Sequence, residues 1–215
     1  MKFSLSNILI LIVAAGILAV AFYLTAGRKP IRHLYYYGPR DYNSQTHDTD
    51  YHEVSDFKLT DQYGQVVTLD SFRNKIFVAN FFYATCPGIC KKMNYELGQA
   101  IEDFAGNKQV KFISYTVDPE HDSVPVLLQY ARMHNAIPYQ WYFLTGDKQQ
   151  IYNLARKSYF VAAEDSGHGK FIHTDNMVLV DAGHHIRGYY HGTDSVDVSN
   201  MVQDINLLLQ EEKAK

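Results

Sequence analysis

The pattern of apolar and polar positions divides the chain into three stretches. No charged residue occurs from Phe3 to Gly27, and Ile8 to Ala26 is almost continuously apolar. At about 1.5 Å rise per residue, about 20 such residues cross a hydrocarbon core of about 30 Å, so residues 1–27 are read as an uncleaved membrane anchor. A signal peptide would carry a shorter apolar run with a small-x-small cleavage site beyond it. Ala19-Val20-Ala21 has that form but lies inside the run. Residues 28–53 are rich in Tyr, His, Asp and Asn, show neither helical nor strand period, and read as a tether.

From residue 54 to 213 the pattern becomes that of a folded domain. Phe57–Thr60 and Val66–Leu69 alternate about Gly64, as a β-hairpin does. Ile76–Tyr83 is too apolar to show one face to water and is expected as a central strand. Pro87 suits the first position of a helix carrying Met93, Leu97, Ile101 and Phe104. Val110–Val117 reads as a strand, and Asp122 or Ser123 as the cap of a helix through Met133. Trp141–Leu144 is a third strand, followed by a helix with Ile151, Leu154 and Ala155. Phe171–Val180 is expected as a fourth strand that turns at Ala182-Gly183 into a fifth. Val198, Met201, Val202, Ile205, Leu208 and Leu209 form one face of a last helix.

Strands alternating with helical crossovers imply an α/β sheet, and the late strand pair adds an antiparallel edge. The expected fold is thioredoxin-like, of the glutathione peroxidase/peroxiredoxin type. It has a central sheet flanked by helices, an N-terminal β-hairpin and an N-terminal transmembrane helix. The composition, 47% hydrophobic and 14% aromatic, is that of a folded chain. The net charge is −3 with no Lys/Arg cluster, which excludes nucleic acid as an expected partner.

The chain has two cysteines, Cys86 and Cys90, at the junction of the central strand with its helix. Four residues apart on a helix, they would share one face, so their sulfurs could converge on a metal ion or close a disulfide. A helix N-terminus favours thiolate over thiol. Two thiolates leave a metal short of ligands, and the ten histidines are the candidates for a third. His33, His47 and His52 read as solvated tether residues. His121, His134, His168, His184, His185 and His191 read as helix-flank, loop, turn or edge residues. His173 enters the fourth strand, where thioredoxin-like exchange enzymes carry a cis-proline, and no proline follows Pro138. A histidine there favours metal binding over thiol exchange. Soft thiolates with an imidazole suit Cu(I), with Cu(II) left open; Zn(II) would accept the same set but would want a fourth ligand or water, and calcium and magnesium do not take such ligands.

Phe82-Tyr83-Ala84-Thr85-Cys86-Pro87-Gly88-Ile89-Cys90, then Val117-Asp118-Pro119-Glu120-His121-Asp122, then His173-Thr174-Asp175, together resemble the Sco/SenC family. The resemblance covers residues 54–209 plus the anchor. It implies a membrane-tethered copper protein that helps assemble cytochrome c oxidase, with Cys86, Cys90 and His173 as copper ligands. Asp118 and Asp122 match the family's Asp-Pro-x-x-Asp turn; a role beside the metal and a role in turn formation and helix capping both stay open. Lys91-Lys92 departs from the proline or acidic residues of many relatives. The implied partners are the oxidase copper-site subunit, other copper chaperones and thiol reductases. The alternative activity is a thiol–disulfide reductase whose redox-active disulfide is Cys86–Cys90. A peroxidase is disfavoured because Thr85 directly precedes Cys86, unlike a Thr-x-x-Cys site. Lys2 before the span and Arg28, Lys29 and Arg32 after it would by charge place the domain inside. The chemistry implies the periplasmic side, and that is the expectation carried forward.

Overall fold

A computed structural model describes residues 14–20, 22, 33–161, 163–165 and 171–214, with the backbone alone described for 163–165 and 171–173. Two compact units result, Met1–His33 and Leu34–Lys215. In the first, residues 14–20 and 22 are helical. Among the described residues no helix is long and apolar enough to cross a membrane; most of the anchor expected over residues 1–27 lies outside them.

The second unit is built on a five-stranded sheet of order β11 (Ile186–His191), β10 (Asn176–Val180), β5 (Ile76–Phe82), β6 (Val110–Thr116) and β7 (Trp141–Leu144). Its centre, β5, is buried along its whole length. It pairs in parallel with β6, which pairs in parallel with β7. On the other side it pairs antiparallel with β10, and β10 with β11. Alternate residues of β5 feed two separate cores, as the period of a strand requires. Ile76, Val78 and Phe82 meet three helices: α1 (Ile89–Glu102), α2 (Val124–Met133) and α4 (Ser195–Ala214). Phe77, Ala79 and Phe81 meet the hairpin β3–β4 (Lys58–Thr60, Val66–Thr68) and α3 (Lys148–Asn153) with the wide turn after it. Asp147 caps α3 by accepting the Gln150 N–H at 2.7 Å.

Asn80 lies on the helical face of β5 and is fully buried. It survives there because the polar chain is complete. Asn80 donates to Asn94 Oδ1 (3.0 Å) and accepts from the Ser114 hydroxyl (2.6 Å). Asn94 donates to the Tyr130 hydroxyl (3.0 Å), and Trp141 Nε1–H donates to Ser114 (2.9 Å). One missing partner would leave a buried group costing about 1–3 kcal/mol. Complete, the chain fixes how α1 sits on β5 and β6.

Three expectations are corrected. The Phe171–Val180 run is two strands: β9 (Phe171–His173) pairs with β8 (Ala163–Asp165), and β10 starts at Asn176. The break falls where side-chain oxygens compete with the ladder. Thr174 Oγ1 accepts the Asn176 N–H, and the Asp175 carboxylate accepts from Thr193 and His191. Secondly, α1 starts at Ile89 and not at Pro87, because Gly88 has non-helical dihedrals (φ −140°, ψ −83°). Thirdly, the stretch read as an irregular tether holds the hairpin β1–β2 (Arg40–Asn43, Asp48–Tyr51), and from Leu34 onward it packs on the sheet.

That packing centres on Arg187, which is buried in β11. Its guanidinium donates to Asp181 Oδ2 (2.8 Å), Glu211 Oε2 (3.3 Å) and the Leu34 and Tyr35 carbonyls (2.8 and 3.3 Å). Tyr36 lies on it, with the guanidinium carbon 4.2 Å from the ring centroid. Asp181 in turn accepts the Gly183 and His185 N–H groups of the β10–β11 turn. Arg187→Leu is expected to lower unfolding free energy by about 3–5 kcal/mol, because it strands the buried Asp181 carboxylate. It should also raise amide exchange at Leu34–Tyr37. Denaturant titration and hydrogen exchange check both, and unchanged exchange at Leu34–Tyr37 would refute the clamp.

Candidate metal centre

The chain leaves the C-terminal end of β5 into a tight turn in which the Cys86 N–H donates to the Tyr83 carbonyl at 3.2 Å. Cys86 therefore lies in the turn, not on the helix face expected for it, and Cys90 sits in the first turn of α1. The pair still comes together: the Cys90 N–H donates to Cys86 Sγ at 3.5 Å. Both residues are buried and not joined by a disulfide.

The thiols are unequal. Burial raises the pKa of Cys86, but the Cys90 thiol, the Cys90 and Gly88 N–H groups and the Tyr83 hydroxyl hydrogen-bond its sulfur and together hold it below the ordinary thiol value. Cys90 is pushed well up, first by burial, then by its hydrogen bond to Cys86, with the Asp122 charge adding to it. Tyr83 is pushed up to about 12 by burial and then by Cys86, so its phenol keeps its proton while Cys86 ionises. Cys86 is thus the more acidic of the two thiols and Cys90 the less acidic.

The loop after β6 supports this turn. Asp122 is fully buried and does not cap α2; Ser123 takes the cap position without a side-chain bond. Instead Asp122 Oδ2 accepts the Ala84 N–H (3.0 Å) and the Thr116 hydroxyl, tying the cysteine turn to β6. Burial raises its pKa. Its Oδ1 is buried without a hydrogen-bond partner. Asp118 accepts from His121 Nδ1, whose ring is mostly exposed, and this bond raises the His121 pKa.

His173 is the last residue of β9, and its side chain lies outside the described residues. The backbone placement is defined. The register Val178↔Ala79 sets the start of β10 at the end of β5 from which the cysteine turn leaves. Gly192 donates its N–H to the Asp175 carbonyl (2.7 Å), and a Cβ there would come 2.7 Å from Met93 Cγ and 2.9 Å from that carbonyl. The segment after His173 is thereby held against α1 one turn beyond Cys90. Among the described residues no three His, Cys, Asp or Glu side chains converge on one point. The donors present nevertheless fit a soft monovalent ion: two adjacent sulfurs, one of them the more acidic.

Sequence reasoning missed Tyr83, Thr116 and Tyr130. Burial raises the Tyr130 pKa, and the charges of both cysteines add to it. Nothing marks Thr116 or Tyr130 in the sequence, whereas Tyr83, three residues before Cys86, was legible as a turn neighbour. The inequality of the thiols has a direct consequence. With iodoacetamide the native dithiol should be alkylated at Cys86, with a pH midpoint below the ordinary 9.0, and at Cys90 only on unfolding. Site-resolved mass spectrometry across pH checks this; faster labelling of Cys90 would contradict it.

Residues 45–210 match the SCO1/SenC family model. The chain is 28% identical over 157 residues to the SCO1 protein homologue of Bacillus subtilis, covering 72% of this chain and 81% of that one. Its fold is similar to BsSco, described as a member of the Sco family of cytochrome c oxidase assembly proteins with a disulfide switch (TM-score 0.66, 26% identity, 73% of this chain and 93% of that one). It is also similar to Arabidopsis thaliana ScoI with copper bound (TM-score 0.61, 25% identity, 73% and 98%). A match over most of its length, with the cysteine turn and the Asp118–Asp122 loop inside it, means that the chain belongs to the SCO1/SenC family.

Proposed function

We propose that this chain is a copper chaperone for cytochrome c oxidase assembly. It binds one copper ion through Cys86, Cys90 and His173 and passes it by ligand exchange to the dinuclear copper site of an oxidase subunit. The observation that carries this reading is the side-by-side, unequal dithiol at the end of β5, at the pole where the backbone after His173 enters the sheet. Copper-bound Arabidopsis thaliana ScoI and the oxidase-assembly description of BsSco support it by relation. Asp118 and Asp122 act from beside the site: Asp122 holds the Cys86 turn by its Ala84 bond, and Asp118 orders the loop rim. The apolar N-terminal stretch anchors the domain, on the periplasmic side, near its membrane-bound client.

Thiol redox state gates the cargo. A two-electron oxidant, such as the disulfide of a partner thiol protein, that closes Cys86 to Cys90 takes up the two electrons and both thiol protons and leaves no thiolate to hold copper. The second reading, a thiol–disulfide reductase acting on the oxidase cysteines, draws on the same pair and on the disulfide switch described for BsSco.

Anaerobic titration of the reduced full-length chain with Cu(I) separates the two. One copper per chain is expected, with binding lost in Cys86→Ala and Cys90→Ala and weakened at least about tenfold in His173→Ala. His173→Ala should keep its thiol exchange. Parental affinity in that variant would refute the three-ligand site. The oxidised parent should bind no copper until reduced, and copper binding by the disulfide form would refute the gate.

A further inference from the structure

The sheet topology brings three strand ends to one pole. The C-terminal end of β5 carries the cysteine turn. Parallel β6 ends beside it on one flank. On the other flank β11 ends there too, because it runs antiparallel to β10 and β10 antiparallel to β5. Each flanking end bears an exposed histidine held by a carboxylate. His121, just past β6, has Nδ1 at 2.9 Å from Asp118 Oδ1. His191, the last residue of β11, has Nδ1 at 3.2 Å from Asp175 Oδ1. The two side chains are 75% and 69% exposed, whereas their carboxylate partners are 8% and 18% exposed.

The hydrogen-bond chemistry fixes the tautomer. An ionised carboxylate only accepts, so Nδ1 carries the hydrogen and, in the neutral ring, the Nε2 lone pair is left to face solvent. A carboxylate that orients an imidazole and raises its basicity is the arrangement found behind metal-ligating histidines. Neither ring is part of a preformed cluster, since among the described residues no three metal-binding side chains converge. His121 is next in sequence to Asp122, which accepts the Ala84 N–H two residues before Cys86. On the other side His191 bonds Asp175, whose carbonyl accepts from Gly192, and Gly192 packs against Met93 of α1, three residues past Cys90.

We propose that His121 and His191 are capture ligands, which take a copper ion at the rim of the site and hand it inward to Cys86 and Cys90. The inference rests on the copper-binding reading above and adds a route to it. The ion keeps its oxidation state throughout. An ion held by either ring forms one copper–sulfur bond as its copper–imidazole bond breaks and the other as an acetonitrile ligand leaves, and the protons of the thiols that bind it pass to solvent. Because the rings are not resident ligands, they act on the rate of loading and not on the final affinity.

The test mixes the reduced full-length chain with Cu(I) supplied as its acetonitrile complex in an anaerobic stopped-flow instrument. The forms compared are the parent, His121→Gln, His191→Gln and the double variant. Both residues are exposed, so the variants should fold as the parent does, which circular dichroism verifies. The double variant is expected to load about tenfold more slowly while its equilibrium affinity, read by competition, stays within about twofold of the parent. Loading at the parental rate would overturn this inference alone. A fall in affinity matching that of Cys86→Ala would also overturn it, making the histidines resident ligands. A parent that takes up no copper would overturn the functional reading and this inference together.

Discussion

The carboxylate of Asp122 connects the elements on which the site depends. Its Oδ2 accepts the Ala84 N–H and the Thr116 hydroxyl, so the turn delivering Cys86 is bonded to the strand beside it. The arrangement is costly. Burial holds the carboxyl above its ordinary pKa, and Oδ1 has no hydrogen-bond partner, a defect worth about 1–3 kcal/mol. The return is a turn of fixed shape, within which Cys86 receives the hydrogen bonds that make it the more acidic thiol. The same charge adds to the forces keeping Cys90 protonated. One buried group thus holds the geometry of the turn and, after burial and the Cys86 hydrogen bond, adds to the inequality of the pair.

A second constraint acts from below. Cys90 and Asn94 share the inner face of α1, and Asn94 is locked to Asn80 and Tyr130 in the buried polar chain that continues to Ser114 and Trp141. An all-apolar interface would let α1 slide along β5; the satisfied amides allow one register. Asp122 therefore fixes Cys86 from the loop side, and Asn94 fixes Cys90 from the core side. At the opposite pole Arg187 ties the chain segment from Leu34 to β11 and α4. Entry of the chain and the dithiol are separated by the length of the sheet.

Much of this was legible from pattern alone. The alternation of apolar strands with amphipathic helices gave the sheet and its late antiparallel edge, and Ile76–Phe82 is central because both its faces are apolar. The misreadings have separate causes, each of them local. Phe171–Val180 looks continuous, yet Thr174 and Asp175 divert it with side-chain bonds. Gly88 delays the helix by its backbone dihedrals, which no spacing rule reveals. The β1–β2 hairpin is exposed on β1 and polar throughout, so it has no hydrophobic period to find. At the site, the cysteines and Asp118–Asp122 stood out by residue type and spacing. Tyr130 and Thr116 did not, because only the fold brings them there. His121 and His191 read as ordinary helix-flank and turn or edge residues until the topology set them on either side of the same turn.

The central claim is that the dithiol and one distant histidine form a single copper site. X-ray absorption at the copper K-edge of the reduced full-length chain loaded with one equivalent of Cu(I) tests it most directly. The account predicts a three-coordinate ion with two sulfur scatterers and one imidazole nitrogen, and loss of the imidazole signal in His173→Ala. A spectrum with sulfur alone in the parent, or one unchanged by that substitution, would contradict it.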